Sequence, residues 1–317
     1  MSQLVSLIIP VFNNAEYIGC LLDDACSQTY DALELVVVDD GSTDGTLDVV
    51  KSKMGRDSRV KLICQEHCGV SAARNAGLAN SGGDYIGFLD ADDRIEPRYV
   101  ELLADGLSDS EAELSVCGWD KGAGSKAMIP SSTTTCAACA LLEDGAFFSS
   151  LWNKLFTRSA IFSDSGFAAF DDSLVIGEDE EWLARVLLDC NDFAVIPQVL
   201  YHWLPREGSA SADTVTLNAR TLTEIRAKRG VYHHFSQRKD LEHLARCRYI
   251  WTMKGILVEG YRVYGGKSSL YQDLLAEYMA ATEKVRGGGL TLLKARIVGK
   301  LIAHNAPLRL FEWVESL

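Results

Sequence analysis

The chain has 317 residues, with 31 Lys and Arg against 44 Asp and Glu, a formal charge of −13. Hydrophobic residues make up 47%, which excludes wholesale disorder, and the acidic total argues against general nucleic-acid binding. No apolar run reaches the roughly 18–20 residues needed to cross a bilayer, and MSQLVSLIIPVFNN lacks the basic region and small-residue cleavage site of a signal peptide. The expected location is therefore cytoplasmic, and the nine cysteines read as reduced, mostly buried thiols.

The first half alternates between strand and helix patterns. Residues 4–11 (LVSLIIPV) form a nearly continuous apolar run, as in a strand buried on both faces. Residues 16–26 carry Ile18, Leu21, Leu22 and Ala25 at helical spacing. A second strand is predicted at 33–38, a helix at 44–54, a third strand at 60–64 and a helix at 70–80. A fourth strand at 84–89, a helix near 97–107 and a strand at 113–118 follow. This alternation with short connections predicts an α/β fold, a mostly parallel sheet with helices on both faces. Polar clusters sit just after the strands, where open α/β sheets bind ligands.

Three acidic clusters carry the chemistry. Asp39 and Asp40 directly follow Val36-Val37-Val38, where one carboxylate can accept a hydrogen bond from a base or a ribose hydroxyl; the same residues also serve as turn and helix-cap chemistry. Asp90-Ala91-Asp92-Asp93 ends the strand GDYIGFL. Three carboxylates there repel one another unless a cation offsets them, and extended alternation puts Asp90 and Asp92 on one side. Hard oxygens with open positions suit Mg²⁺ or Mn²⁺ bridging to a diphosphate. Glu178-Asp179-Glu180-Glu181 opens a helix, where acids favour the dipole; a partly desolvated carboxylate among other acids also has a raised pKa suited to a general base.

Charge divides the chain. Residues 1–214 hold 14 basic and 35 acidic side chains, a balance of −21, and residues 215–317 hold 17 and 9, a balance of +8. A catalytic domain over 1–214 and a basic, mainly helical region over 215–317 are expected, joined near Gly208-Ser209-Ala210-Ser211. The segment LTLLKARIVGKLI (290–302) shares Leu290, Leu293, Ile297 and Leu301 on one helical face. The basic region reads as a helical subdomain, or as a contact to anionic lipid at the inner face of the membrane.

Together SLIIPVFNNAEYI, LELVVVDDGSTDGT, GVSAARNAGLANSGGDYIGFLDADD, LWNKLFTRS, GEDEEW and YHWLPREGSAS, in this order over residues 4–211, resemble the family-2 glycosyltransferases of GT-A fold, in the style of bacterial enzymes that build cell-surface polysaccharide. The resemblance implies inverting transfer of a hexosyl or N-acetylhexosaminyl group from a nucleotide sugar, expected to be UDP-linked, to the hydroxyl of a glycan or lipid-linked acceptor. It implies that Pro10, Val11, Asn13, Asp39 and Asp40 hold uracil and ribose, and that Arg74 and Asn75 touch the nucleotide or donor sugar. It further implies Asp92 as metal ligand, Asp90 on ribose or metal-bound water and so also at the metal, Ala91 beside the donor, and Asp93 orienting either the sugar or the acceptor. Asp179 is the expected base, with Glu178 as the other candidate, and Arg206 belongs to a loop that closes over the diphosphate.

His67 stands where the family often has Asn, and Trp152, Asn153 and Lys154 read as an acceptor floor or as core. Metal binding by Cys64, His67 and Cys68 is disfavoured for want of a fourth ligand, and His202 reads as a packed histidine in preference to a metal ligand. The alternatives are a non-catalytic nucleotide-sugar-binding homologue and a GT-A-like nucleotidyltransferase, although VFNNAEYI lacks the latter's Gly-rich basic loop.

Overall fold

The apolar run at the N-terminus forms strand β1 (Val5–Val11), every residue of which is buried. The computed structural model describes residues 2–205, 219–264, 269–284 and 294–300, apart from positions 123, 133–135, 144, 148, 189, 191 and 296. After β1 come α1 (Ile18–Cys26), β2 (Leu33–Asp39), α2 (Thr46–Met54), β3 (Val60–Cys64), α3 (Val70–Asn80) and β4 (Tyr85–Phe88). Then follow β5 (Arg94–Ile95), α4 (Tyr99–Ser108), β6 (Leu114–Asp120), α5 (Ala137–Glu143), β7 (Lys154–Thr157) and α6 (Arg158–Ile161). A hairpin of β8 (Phe162–Ser163) and β9 (Gly166–Phe167), then α7 (Glu178–Val186) and β10 (Phe193–His202), complete this part.

Eight strands make one sheet in the order β3-β2-β1-β4-β7-β6-β10-β5. The pairs among β3, β2, β1 and β4 are parallel, as the strand–helix alternation predicts. Strand β7 then runs antiparallel between β4 and β6, and β5 pairs antiparallel with the end of β10. The sheet is thus mostly parallel. Because β7 reverses direction twice over, β6 and β10 run the same way as β1, and all their carboxyl ends lie at one rim.

Both sheet faces are covered. Leu7 and Ile9 point to one side and cluster with Ile18, Leu21, Leu22 and Ala25 of α1 and with Tyr99, Val100 and Leu103 of α4. Alternation turns Ile8 to the other side, where it meets α3 at Gly77, so closely that a β-carbon there would lie 2.3 Å from Ile8 Cγ2. On the same molecule Phe88, Phe156, Phe170 and Trp182 form a ring-to-ring cluster that carries α7, with Phe170 stacked on Trp182 at 4.7 Å.

The chain divides into two compact units, Met1–Glu207 and Gly208–Leu317. Within the second, α8 (Ala219–Ser236), α9 (Glu242–Tyr264) and α10 (Ser269–Glu283) share a core of their own around Tyr249, Met253, Leu257, Tyr271 and Tyr278. Ile297 packs against that core, while Leu290, Leu293 and Leu301 lie outside the described residues. No helix among the described residues is long and apolar enough to cross a membrane.

The cysteines depart from expectation. Of the nine, only Cys117, Cys136, Cys139 and Cys190 are buried; Cys20, Cys64 and Cys68 are exposed. Cys20 sits on the outer side of α1, away from its buried stripe of Ile18, Leu21, Leu22 and Ala25, and Cys64 ends the edge strand β3.

Replacing Gly77 by Ala forces its methyl into the fixed, fully buried Ile8. Overpacking costs roughly 1–3 kcal/mol, against a gain of about 1 kcal/mol in helix propensity. A net loss on the order of 1 kcal/mol is expected, read as a lower urea midpoint with unchanged slope.

Candidate active site

The loops that leave β1, β2 and β3 are tied to one another before any ligand is considered. Asn13 adopts a left-handed backbone (φ 46°). Its Oδ1 accepts the Thr43 N–H at 2.8 Å, and its own N–H donates to Ser42 Oγ at 2.9 Å. Gly41, at φ +79°, lets the β2 loop approach His67, whose backbone nitrogen would lie 2.9 Å from any β-carbon there.

Asp40 is the knot. Its Oδ1 accepts from Gln65 Nε2 at 2.7 Å and from the Cys68 N–H at 2.9 Å. Its Oδ2 accepts from the Gly69 N–H at 2.9 Å and lies 2.8 Å from His67 Nδ1. Four partners fill the carboxylate and fix the 65–69 loop. Asp39, equally buried, is different: Oδ2 accepts from the Ser42 N–H at 3.1 Å, and Oδ1 has no hydrogen-bond partner among the described residues. A buried carboxylate oxygen without a donor is costly.

These loops enclose a mainly apolar cavity of about 220 Å³, lined by Pro10, Val11, Phe12, Asp40, His67, Gly69, Val70 and Ala73. Phe12 is 43% exposed and stacks on the His67 ring at 4.1 Å. The cavity presents a flat aromatic wall above a carboxylate, which suits a planar heterocycle.

Arg74 follows the cavity residue Ala73 on α3 and faces the second half of the site. Its guanidinium is buried, donates from Nη1 to Glu178 Oε1 at 2.9 Å, and lies 3.7 Å from Asp90 Oδ1. It also sits over the Phe170 ring. One helix turn therefore links the cavity to the carboxylates of β4 and α7. Burial opposes the charge on Arg74, but Glu178, Asp90 and Asp179 more than offset it and raise its pKa. Asp179 is half-buried, and Oδ1 accepts the Glu180 N–H at 2.9 Å. Burial first, then Glu178, push its carboxyl up to about 7. The other acids of this turn have separate duties: Glu178 pairs with Arg74, and Glu181 pairs with Arg185 one turn on.

Within Asp90-Ala91-Asp92-Asp93, Asp90 and Asp92 are half-buried and Ala91 is buried. Asp93 is 1% exposed and turned inward: Oδ2 accepts from Tyr201 OH at 2.6 Å, and Oδ1 accepts from the Leu204 N–H at 2.9 Å. Burial and the Asp90 charge push it up to about 7. It ties the acidic loop to the end of β10, where Tyr201 stacks on Trp152 at 4.3 Å. No group of three or more His, Cys, Asp or Glu among the described residues is drawn into metal-binding geometry. Asp90 and Asp92 remain a pair of hard oxygen donors facing partly outward, which fits a divalent cation completed by phosphate oxygens.

Several expected residues have other partners. Asn75 clamps Phe170, donating to its carbonyl at 3.0 Å and accepting its N–H at 2.7 Å. Trp152, Asn153 and Lys154 are buried. The Lys154 ammonium donates to the Phe147 and Ser150 carbonyls and to Asn153 Oδ1, at 2.6–2.8 Å. His202 bridges two carboxylates, with Nδ1 2.7 Å from Asp120 and Nε2 2.9 Å from Glu96; burial opposes its charge, yet the two acids prevail and raise its pKa. Arg206 lies outside the described residues. Sequence reasoning missed Phe12, Val70 and Ala73 as cavity walls. Only Phe12, an aromatic just beyond a buried strand, carried a visible signal.

Comparison with known proteins fits this geometry. The model of "Glycosyl transferase family 2" matches residues 6–174, more than half of the chain. The putative glycosyltransferase EpsH of Bacillus subtilis is 31% identical over 63% of this chain and 60% of its own length. The chain spans only 16–60% of the first curated relatives it matches. S. aureus TarS 1–349 in complex with UDP-GlcNAc superposes with a TM-score of 0.72 at 20% identity, over 99% of this chain and 90% of that one. The mannosyltransferase PcManGT of Pyrobaculum calidifontis, in complex with GDP-Man and Mn²⁺, superposes with a TM-score of 0.54 at 18% identity, over 96% and 86%. The fold is GT-A with a C-terminal helical region, and the chain belongs to glycosyl transferase family 2.

Proposed function

We propose that the protein is an inverting glycosyltransferase that moves a hexosyl or N-acetylhexosaminyl group from a UDP-sugar to an acceptor hydroxyl. The observation that carries this reading is the half-buried Asp179 carboxyl, pushed up to about 7 beside the Arg74–Glu178–Asp90 cluster, one helix turn from an aromatic-walled cavity. The uracil lies against Phe12, and Asp39, at the end of β2 beside the cavity residue Asp40, is the residue we assign to a ribose hydroxyl. Asp40 holds the 65–69 wall, and Arg74 aligns the donor side of the cluster.

Asp179 Oδ2 takes the acceptor's proton, since Oδ1 is held by the Glu180 N–H. The acceptor oxygen bonds to the anomeric carbon while the bond to the diphosphate breaks, and the electron pair leaves with UDP. Asp92 and Asp90 would hold Mg²⁺ or Mn²⁺, which when bound offsets the charge growing on the leaving diphosphate. Arg206, in the segment after Pro205, is the residue we assign to the diphosphate. The family's polysaccharide-building members support a glycan or lipid-linked acceptor, and the basic balance of 215–317 supports contact with anionic lipid.

A base must be ionised to act. Turnover should therefore rise with pH through about 7 and fall roughly tenfold per unit below it. Asp179→Asn should lower UDP release and transfer by about 10²–10⁴ and remove the acid limb; near-wild-type transfer by this variant would rule out Asp179 as base.

Asp92→Ala, or chelation of the wild type, should lower turnover by at least about 10². Restoration by Mn²⁺ in the wild type but not in the variant assigns the ligand.

Phe12→Ala should raise the donor KM by about tenfold, for about 1–1.5 kcal/mol of lost stacking. Turnover at saturation should hold, as measured by steady-state kinetics across UDP-sugars.

A further inference from the structure

Cys136 and Cys139 lie at the start of α5, on the segment between β6 and β7, far in sequence from the acidic loops. Their sulfurs are 3.0 Å apart, and the Cys139 N–H donates to Cys136 Sγ at 3.3 Å. A disulfide needs about 2.05 Å, so closure asks for about 1 Å of movement within one turn. The residues between them, Ala137 and Ala138, carry no bulk that would resist it. The C-x-x-C spacing is the one that redox dithiols use. Among the described residues no third His, Cys, Asp or Glu joins the two into a metal-binding group. Each is buried, at 9% exposed, so an oxidant that reaches the pair has to be small.

We propose that Cys136 and Cys139 form an oxidisable dithiol that closes to an intrachain disulfide in the presence of a hydroperoxide. One thiol gives up its proton and its sulfur attacks the terminal oxygen of the peroxide; the O–O bond breaks, one oxygen stays on sulfur as a sulfenic acid, and the other leaves with that proton as an alcohol, or as water when the oxidant is hydrogen peroxide. The second thiol then attacks that sulfur, the S–S bond forms, and water leaves. Two thiols lose two electrons together, and one peroxide gains them. The segment that follows is anchored to the sheet: the Ala146 carbonyl accepts the Trp119 indole N–H at 2.9 Å, and the Phe147 carbonyl accepts Lys154 Nζ at 2.6 Å. Closure thus fixes the chain that leads into those anchors. A thiol reductant reverses the step.

The full-length protein is treated with hydrogen peroxide at the dose that half-oxidises exposed Cys68, then alkylated and digested with trypsin. The peptide 127–154 contains Cys136 and Cys139 and no other cysteine. It should appear two hydrogens lighter and unalkylated, and dithiothreitol should restore two alkylation sites. C136S and C139S should each lose the lighter species and trap a sulfenic acid with dimedone. Two alkylated cysteines in the wild-type peptide at that dose, or their over-oxidation without a disulfide, would overturn the proposal.

Discussion

A buried guanidinium holds the acidic centre of this protein together. Asp90 at the end of β4 and Glu178 at the start of α7 come from segments far apart in sequence, and both face Arg74. Three carboxylates gathered without a counter-charge would repel one another and resist leaving water. Arg74 removes that penalty from inside, and its fork fits two acids at once. The cost of burying it is met by the same acids, so each side of the arrangement makes the other tenable. Arg74 acts on Asp179 as well, drawing down a carboxyl that burial and Glu178 push up to about 7.

Much of this was legible in the residues. Apolar runs such as LVSLIIPV and LELVVV have only one comfortable home, a strand covered on both faces, and their order sets the parallel half of the sheet. The acids after those strands point to the rim where ligands bind. Strand β7 was not legible. WNKLFTRS has no clean alternation, and its strand character comes from pairing with β4 and β6 on either side, a tertiary effect that local pattern does not carry. Asp93 shows the same limit within the site: nothing in Asp-Ala-Asp-Asp says which carboxylate turns inward, because the decision belongs to Tyr201 and Leu204, more than a hundred residues later. Asn75 is similar, since its amide is matched to the backbone of Phe170.

The cysteines teach a related lesson. Composition treats nine thiols alike, whereas position separates a solvent-facing group from a buried pair held sulfur to sulfur. Helix periodicity alone would have placed Cys20 outward, because it falls between the buried Ile18 and Leu21.

Asp40 offers a final consequence. Its four partners set the far wall of the cavity in the free protein, so little conformational freedom is left for any occupant to remove on arrival. Recognition at this end is then close to a key entering a cut lock, and selectivity rests on the shape of an existing cleft. A protein built this way can discriminate quickly, because a misshapen occupant meets a wall that does not yield.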